Sequence, residues 1–296
     1  MPDKLLCKIC QSPVEKIGSK LGVADKREYF LVRCASCNFS FVENPRVDYA
    51  DIYTEAYYRG AGVDPLLDYV YELENPEKTV RRYEWNGILK IVQSLFPNPI
   101  TSKIRWLDYG CGNGGLVRYV REMTDCEIFG YDEGWIVEKA IEYGVPVTRQ
   151  KEQIGDAKYD IVTAIEVLEH IENPLATLEE IRNFLTPGGL FFFTTGNAQA
   201  HRANLLAWNY FSPEIHISLY EPSTMKFALT KTGFQPFFPL TPPAGWSDVI
   251  RFKILKNIGV RQINGLEKII PWKWIAPIID HSMKISAHPL GWVARG

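Results

Sequence analysis

Between residues 104 and 195, short apolar runs alternate with segments whose apolar positions recur at helical spacing. The runs predict strands over 104–109, 127–131, 146–148, 159–165 and 190–195, and the periodic segments predict helices over 115–123, 136–143 and 174–185. Such alternation is the signature of a parallel sheet with helices on both faces, a doubly wound α/β fold. A helix over 223–232 and strands over 234–240 and 249–255 are expected to finish the sheet. Upstream, Val80, Tyr83, Ile88, Val92 and Leu95 fall on one face of a helix opened by Pro76 and Glu77 and stopped at Pro97. The stretch 44–76 shows neither period. It is rich in Tyr, Asp and Gly, clusters Tyr49, Tyr53, Tyr57 and Tyr58, and reads as a linker that either closes over a ligand mouth as a lid or fills an interdomain seam. The expected organisation is therefore a small head over 1–45, a linker over 46–76, an α/β domain over 77–255 and an extension over 256–296.

Composition removes alternatives. Hydrophobic residues make up 46% of the 296 and charged residues 23%, a globular balance. Lys and Arg number 33 against 35 Asp and Glu, for a net charge of −2, without the basic excess of a dedicated nucleic-acid binder. No stretch approaches the roughly 18–20 apolar residues of a membrane span. The opening MPDKLLCKIC lacks the apolar core of a secretory signal, so a cytoplasmic protein is expected. The tail from Arg251 differs, with eight Lys and Arg against two Asp and Glu, a net of +6 that leaves −8 on the rest. It also carries Trp272, Trp274 and Trp292. We expect an extension covering a sheet edge, with peripheral contact to an anionic membrane or partner as the alternative.

Four of the six cysteines form two C-x-x-C pairs, Cys7/Cys10 and Cys34/Cys37, separated by 23 residues. Each pair closes a tight turn that aims two thiolates at one ion. Two such turns complete a tetrahedral site, so the spacing points to a zinc ribbon holding a structural Zn2+. A hairpin over 21–32 fits between the turns, and Asn38 stands where such a knuckle wants positive φ, which Asn tolerates well. The competing reading is four buried or redox-active cysteines without metal.

The most informative stretch is Trp106-Leu-Asp-Tyr-Gly-Cys-Gly-Asn-Gly-Gly115, a strand, a glycine turn and the start of a helix. Glycines let the backbone approach a ligand closely, and the helix start presents N–H groups. Gly110, Gly112 and Gly115 also satisfy G-x-G-x-x-G, so the loop alone leaves a dehydrogenase open. Asp108 stands two residues before the first glycine, where a carboxylate attracts a cation, and Asp132 ends the next strand, placed to accept from ribose hydroxyls. Beyond them lie Tyr159-Asp-Ile-Val-Thr-Ala-Ile-Glu-Val-Leu-Glu-His170 and Leu185-Thr-Pro-Gly-Gly-Leu190. In this order the D-x-G-x-G-x-G loop, the acidic second strand, the aspartate-led fourth strand and the L-x-P-G-G turn resemble class I S-adenosylmethionine-dependent methyltransferases, over about residues 77–255.

That resemblance implies a Rossmann-like methyltransferase sheet with S-adenosylmethionine as cofactor. Gly110, Gly112, Asn113 and Gly114 would line its methionine moiety, Asp108 would hold its ammonium group, and Asp132 would grip the ribose, with Glu133 and Glu166 close by. Its adenine would lie beside 150–154. The cysteine head followed by Arg33-Cys-Ala-Ser-Cys-Asn-Phe-Ser-Phe-Val-Glu-Asn-Pro45 is similar to zinc-ribbon heads of bacterial methyltransferases, several of which act on nucleotide-linked deoxysugars or among surface-polysaccharide enzymes. It implies a small-molecule or glycan acceptor, methylated on a hydroxyl or on a carbon of an activated sugar. An RNA methyltransferase is the runner-up, disfavoured by the charge balance. A cofactor-binding scaffold without turnover is the alternative of another class.

A hydroxyl or C–H acceptor must lose a proton as the methyl arrives. Glu166, Glu169 and His170, at i, i+3, i+4 spacing, are expected on one face of a helical turn at the cofactor mouth, with His216 on a segment that returns over it. In one reading His170 or His216 is a general base beside Glu169. In another, all four hold a second divalent cation, as in the similar pattern of small-RNA 2′-O-methyltransferases and some quinone-biosynthesis O-methyltransferases. In the third they only cap a helix and tie down a loop.

Overall fold

The computed structural model describes residues 5–61, 68–155, 157–237, 243–265, 270–272, 274–276, 278 and 292–295. At the amino end β1 (Val14–Leu21), β2 (Glu28–Cys34) and β3 (Ser40–Val42) form an antiparallel meander around the cysteine turns. A single turn at Tyr57–Ala61, α1 (Tyr69–Glu74) and α2 (Arg82–Leu95) lead into the larger domain. There β4 (Arg105–Tyr109), α3 (Gly115–Met123), β5 (Glu127–Tyr131), α4 (Ile136–Glu142), β6 (Val147–Thr148), β7 (Tyr159–Ile165), α5 (Pro174–Phe184) and β8 (Leu185–Thr194) alternate. They are followed by β9 (Ser218–Leu219), α6 (Pro222–Lys231), β10 (Gln235–Phe237), α7 (Trp246–Asn257) and β11 (Trp292–Arg295).

The larger sheet runs β10-β11-β8-β7-β4-β5-β6; the five strands from β8 to β6 are parallel, and β11 and β10 join antiparallel. From β4 the chain steps outward to β5 and β6, then crosses back to β7 and β8. The order therefore reverses beside β4, and ligands of such sheets bind in the crevice outside the strand ends at that point. The strands read as nearly unbroken apolar runs because both faces are covered. Trp106, Ile161, Leu190 and Phe192 face a core built with α2, α3 and α7, whereas Leu107, Val162, Phe191 and Phe193 face α5 and α6.

The expected strand over 249–255 is instead the middle of α7, whose Val249, Ile250 and Phe252 are buried in the core shared with α2. A short apolar run does not distinguish a buried strand from a buried helix by period. The strand position it would have filled is taken by β11, from within the extension expected to lie outside the sheet. The expected strand over 234–240 is β10, and residues 238–240 lie outside the described ones. The L-x-P-G-G segment is itself extended, so β8 begins at Leu185, with a register shift against β7 between Tyr159 and Ile161. The first helix of the domain starts at Arg82 because Thr79 bridges to Gln262 and Arg81 turns in between Glu72 and Glu84. Among the described residues no helix is long and apolar enough to cross a membrane.

Gly87 shows how closely α2 and α7 approach. A Cβ there would lie 2.7 Å from the Gly245 carbonyl oxygen and 2.9 Å from the Val249 nitrogen, both backbone. Helix propensity alone favours alanine over glycine by about 1 kcal/mol. We expect Gly87→Ala to destabilise the protein by about 1–3 kcal/mol instead, the usual cost of overpacking, as read in urea unfolding. A stabilised variant would show that the two helices can separate freely.

The amino-terminal head is not a separate unit. Its sheet runs β1-β2-β3-β9, and the fourth strand comes from the larger domain. The division expected at residue 45 therefore marks a change in sequence character but crosses a continuous hydrogen-bonded sheet.

Candidate functional site

The carboxyl ends of β4, β5 and β7 open into one cleft of about 1630 Å³. The turn after β4 passes through Gly110, Gly112 and Gly114, all at positive φ (76°, 54° and 68°). The N–H groups of Gly110 and Cys111 both donate to the Tyr131 carbonyl, at 2.7 and 3.0 Å, tying the turn to the end of β5. A Cβ at Gly112 would meet nothing nearer than the Tyr69 ring at 3.8 Å, so this backbone faces the cleft. Gly114 does not. A Cβ there would strike Val145 at 2.7 Å and Val147 at 3.0 Å, and the residue serves as the left-handed cap of α3. Asn113 lines the cleft, and its side chain is also held locally. Its amide donates to the Tyr69 carbonyl (2.9 Å) and Glu72 (3.1 Å) and accepts from the Gly115 N–H (3.1 Å), so this side chain anchors α1.

Asp108 is 3% exposed and lines the cleft. Thr163 Oγ1 donates to it at 2.7 Å, and Thr163 in turn accepts from Trp106 Nε1 at 2.9 Å. Burial pushes its carboxyl up to about 7, against the Thr163 hydrogen bond, a condition that a cationic ligand would relieve. Asp132 accepts from the N–H groups of Gly112 (3.0 Å) and Gly134 (2.7 Å). Each oxygen keeps a second lone pair for a ligand hydroxyl. Glu133 is exposed and accepts from Tyr131 Oη at 2.6 Å. Gln150, Lys151, Glu152 and Gln153, from the segment expected beside adenine, border a depression that adjoins the main cleft, the two sharing Tyr131, Glu133 and Arg149.

At the other end of the cleft, Glu166 has φ 56°, so the expected helical face does not form and only Leu168–His170 makes a 3-10 turn. Contacts from distant segments gather the acidic groups instead. Lys253 of α7 lies 3.3 Å from Glu166, and Tyr210 Oη lies 3.1 Å from Glu166 and 2.5 Å from Glu169. Thr195 Oγ1 donates to Glu169 at 2.8 Å. Burial, with Glu166 nearby, pushes Glu169 up to about 8. Burial acts on Glu166 in the same direction, but Lys253 and the hydrogen bonds of Thr194 and Tyr210 prevail and hold it down to about 2. Sequence reasoning missed both Tyr210 and Lys253, which carry no local motif.

The two imidazoles are oriented alike. His170 Nδ1 lies 3.0 Å from the Ile215 carbonyl and 3.3 Å from Tyr53 Oη, and His216 Nδ1 contacts the Tyr210 carbonyl. A carbonyl only accepts, so in both rings Nδ1 carries the proton and Nε2 the lone pair. Burial, with His216 alongside, holds His170 down to about 3, and it is neutral at ordinary pH. Ligand atoms of Glu169, His170 and His216 lie within 4.8 Å of one another; Glu166 stands outside this group. Two aromatic runs also line the cleft. Tyr53 meets Tyr57 edge-on at 5.0 Å, whereas Trp208 stacks on Tyr210 at 4.8 Å and Tyr210 on His216 at 4.4 Å.

The four amino-terminal thiols form a second cluster, with all sulfurs within 4.8 Å of one another. Cys7 and Cys37 Sγ are 3.5 Å apart and Cys10 and Cys34 Sγ 3.3 Å, too far for disulfides. Sulfurs about 2.3 Å from a tetrahedral zinc stand about 3.8 Å apart, and the cluster fits that size. Both turns close alike: Gln11 (φ 62°) and Asn38 (φ 63°) send their N–H groups back to the carbonyls of Cys7 and Cys34.

Residues 80–236, just over half the chain, match the family described as "Methyltransferase domain". The Ubiquinone biosynthesis O-methyltransferase of Histophilus somni is 26% identical over 152 residues, 43% of this chain and 63% of that protein. Its namesake in Photorhabdus laumondii is 33% identical over 102 residues, 31% of this chain and 42% of that protein. The chain thus spans less than two thirds of the length of these relatives. Among solved structures, a S-adenosylmethionine dependent methyltransferase from Mesorhizobium loti is similar at a TM-score of 0.44 and 14% identity, over 72% of this chain and 100% of that one.

Proposed function

The chain belongs to the family of class I S-adenosylmethionine-dependent methyltransferases, and from that premise we propose that it transfers a methyl group from S-adenosylmethionine to a hydroxyl of a small planar acceptor. The observation that carries the reading is one cleft with the Asp108–Gly112–Asp132 turn at one end and the Glu169, His170, His216 cluster at the other. Bound there, the cofactor supplies a methyl carbon activated by a sulfonium. Asp108 holds the ammonium group and Asp132 the ribose hydroxyls. The aromatic side chains lining the cleft offer apolar faces to a flat ring, and the relatives' name, O-methyltransferase, agrees with oxygen as the acceptor. Methyl transfer from labelled S-adenosylmethionine to catechol, with a hexose as comparison, tests the acceptor class; label on the hexose alone would reverse it.

In this reading His216 takes the acceptor's proton at Nε2, while the Tyr210 carbonyl holds its ring in the required tautomer. The tyrosines of the linker close over the mouth and exclude water, with Tyr53 braced on His170. Zn2+ on Cys7, Cys10, Cys34 and Cys37 cross-links the head. A second reading rests on the spacing of Glu169, His170 and His216 and on their backbone-bound Nδ1 atoms, an arrangement common among histidine ligands of metals. A divalent cation there would lower the pKa of the acceptor hydroxyl.

Asp108 makes cofactor affinity depend on pH. Its carboxyl is about half ionised near pH 7 in the free protein, with Asp132, Glu84 and Arg81 also acting on it. An ammonium partner favours the ionised form, so binding expels a proton below that value. We expect the affinity for S-adenosylhomocysteine to fall as pH drops from about 7, by up to tenfold per unit, and to level off above it. Calorimetry in buffers of different ionisation enthalpy should show proton release below about pH 7. A flat profile would remove Asp108 from the ammonium site.

A further inference from the structure

The segment from Asn197 to Tyr220 carries Tyr210 and His216, and it is gripped on one side by the amino-terminal head. Lys20 Nζ, at the end of β1, donates to the carbonyls of Phe211 (2.7 Å) and Trp208 (3.3 Å), which bracket Tyr210. Glu214, fully buried two residues before His216, accepts the N–H groups of Val23 (2.6 Å) and Ala24 (3.1 Å) in the β1–β2 turn. Directly after His216, the Ile217 carbonyl accepts from Val42 N–H of β3 at 2.9 Å, while its own N–H donates to the Glu169 carbonyl at 2.8 Å. One residue thus joins the head's sheet to the turn that carries Glu169 and His170. Tyr29, Leu31 and Val42 of the head share an apolar cluster with Leu205, Trp208, Phe211 and Ile217.

A head serving only as a separate cap would need none of these contacts. Their targets are specific, because the Lys20 and Glu214 contacts fall on residues flanking Tyr210 and His216. The His216 ring is itself held by the Tyr210 carbonyl. Any shift of the Trp208–Phe211 backbone therefore reaches the imidazole directly.

We propose that the cysteine head is the mount of the acceptor loop, with Lys20 and Glu214 as positioning residues that set the His216 ring against Glu169 and His170. This rests on the reading of His216 as the residue beside the acceptor. Among the described residues, none of the head lines the cleft, so damage to the mount should spare cofactor affinity.

The test is made on the full chain with 15N-labelled histidine, in the presence of S-adenosylhomocysteine. The His216 Nδ1–H signal reports the bond to Tyr210. In Lys20→Met it is expected to exchange with water at least tenfold faster, while the S-adenosylhomocysteine Kd stays within about twofold. Lys20→Arg, which keeps the cation, should restore it, a rescue that general loosening of the fold would not produce. Glu214→Ala is the second variant, with Glu214→Gln, which keeps an acceptor oxygen, as its conservative partner. An unchanged His216 signal in both Lys20→Met and Glu214→Ala overturns the proposal. A loss of S-adenosylhomocysteine affinity in step with the His216 acceleration would also overturn it, by showing loss of structure without specific positioning. The role of His216 itself is read separately, from the turnover of His216→Ala, so the two ideas fail in different measurements.

Discussion

His216→Ala is expected to lower kcat by about 10²–10⁴, the usual worth of a general base, while the Kd for S-adenosylhomocysteine stays within about twofold. An acceptor hydroxyl holds its proton far above neutral pH, and something must receive that proton as the methyl moves. The lone pair of His216 lies at Nε2, on the ring edge away from the Tyr210 carbonyl, and the ring lines the cleft. His170 is less suited to the task. Burial keeps it neutral to about 3, so it is a weak base that can ligate or orient but gains little by accepting a proton. A mild chelator separates the two readings. Loss of turnover restored by Mg2+ or Mn2+ supports a cation on Glu169, His170 and His216; indifference to chelator supports the imidazole alone. Near-wild-type turnover of His216→Ala would exclude both.

Asp132→Ala carries the second large effect. Two hydrogen bonds from ribose hydroxyls to a carboxylate are worth about 1.5–3 kcal/mol each, so affinity for S-adenosylhomocysteine should fall by about 10²–10⁴. The side chain also accepts from Gly112 and Gly134, and its removal loosens the turn that the methionine moiety needs. Asp132→Asn retains one acceptor oxygen and should fall between wild type and alanine. Equilibrium dialysis with labelled ligand gives the three constants, and equal values would mean that the ribose lies elsewhere.

The parts of this molecule legible in the sequence are those whose chemistry is local. The C-x-x-C turns, the positive φ of Asn38, the glycine turn after β4 and the apolar strands all follow from spacing and steric rules within a few residues. What was not legible depends on contacts made across the fold. Glu166 and Glu169 looked like neighbours on a helix, but they meet through Tyr210, some forty residues away. Lys253, which pairs with Glu166, lies on a segment whose apolar run fits strand and helix equally. Gly114 fits the binding pattern by position, yet Val145 and Val147 crowd it, and the difference between Gly112 and Gly114 is only which way the turn faces. Strand β9, two residues long, has no period to read, and it is the element that binds the head to the loop of His216.

The most direct measurement is calorimetric titration of the full chain with S-adenosylhomocysteine and, separately, with NAD+. Asp108, the bare backbone of Gly112, and Asp132 together predict one S-adenosylhomocysteine bound per chain and no heat from NAD+. Binding of NAD+ with indifference to S-adenosylhomocysteine would contradict the cofactor assignment and every role built on it.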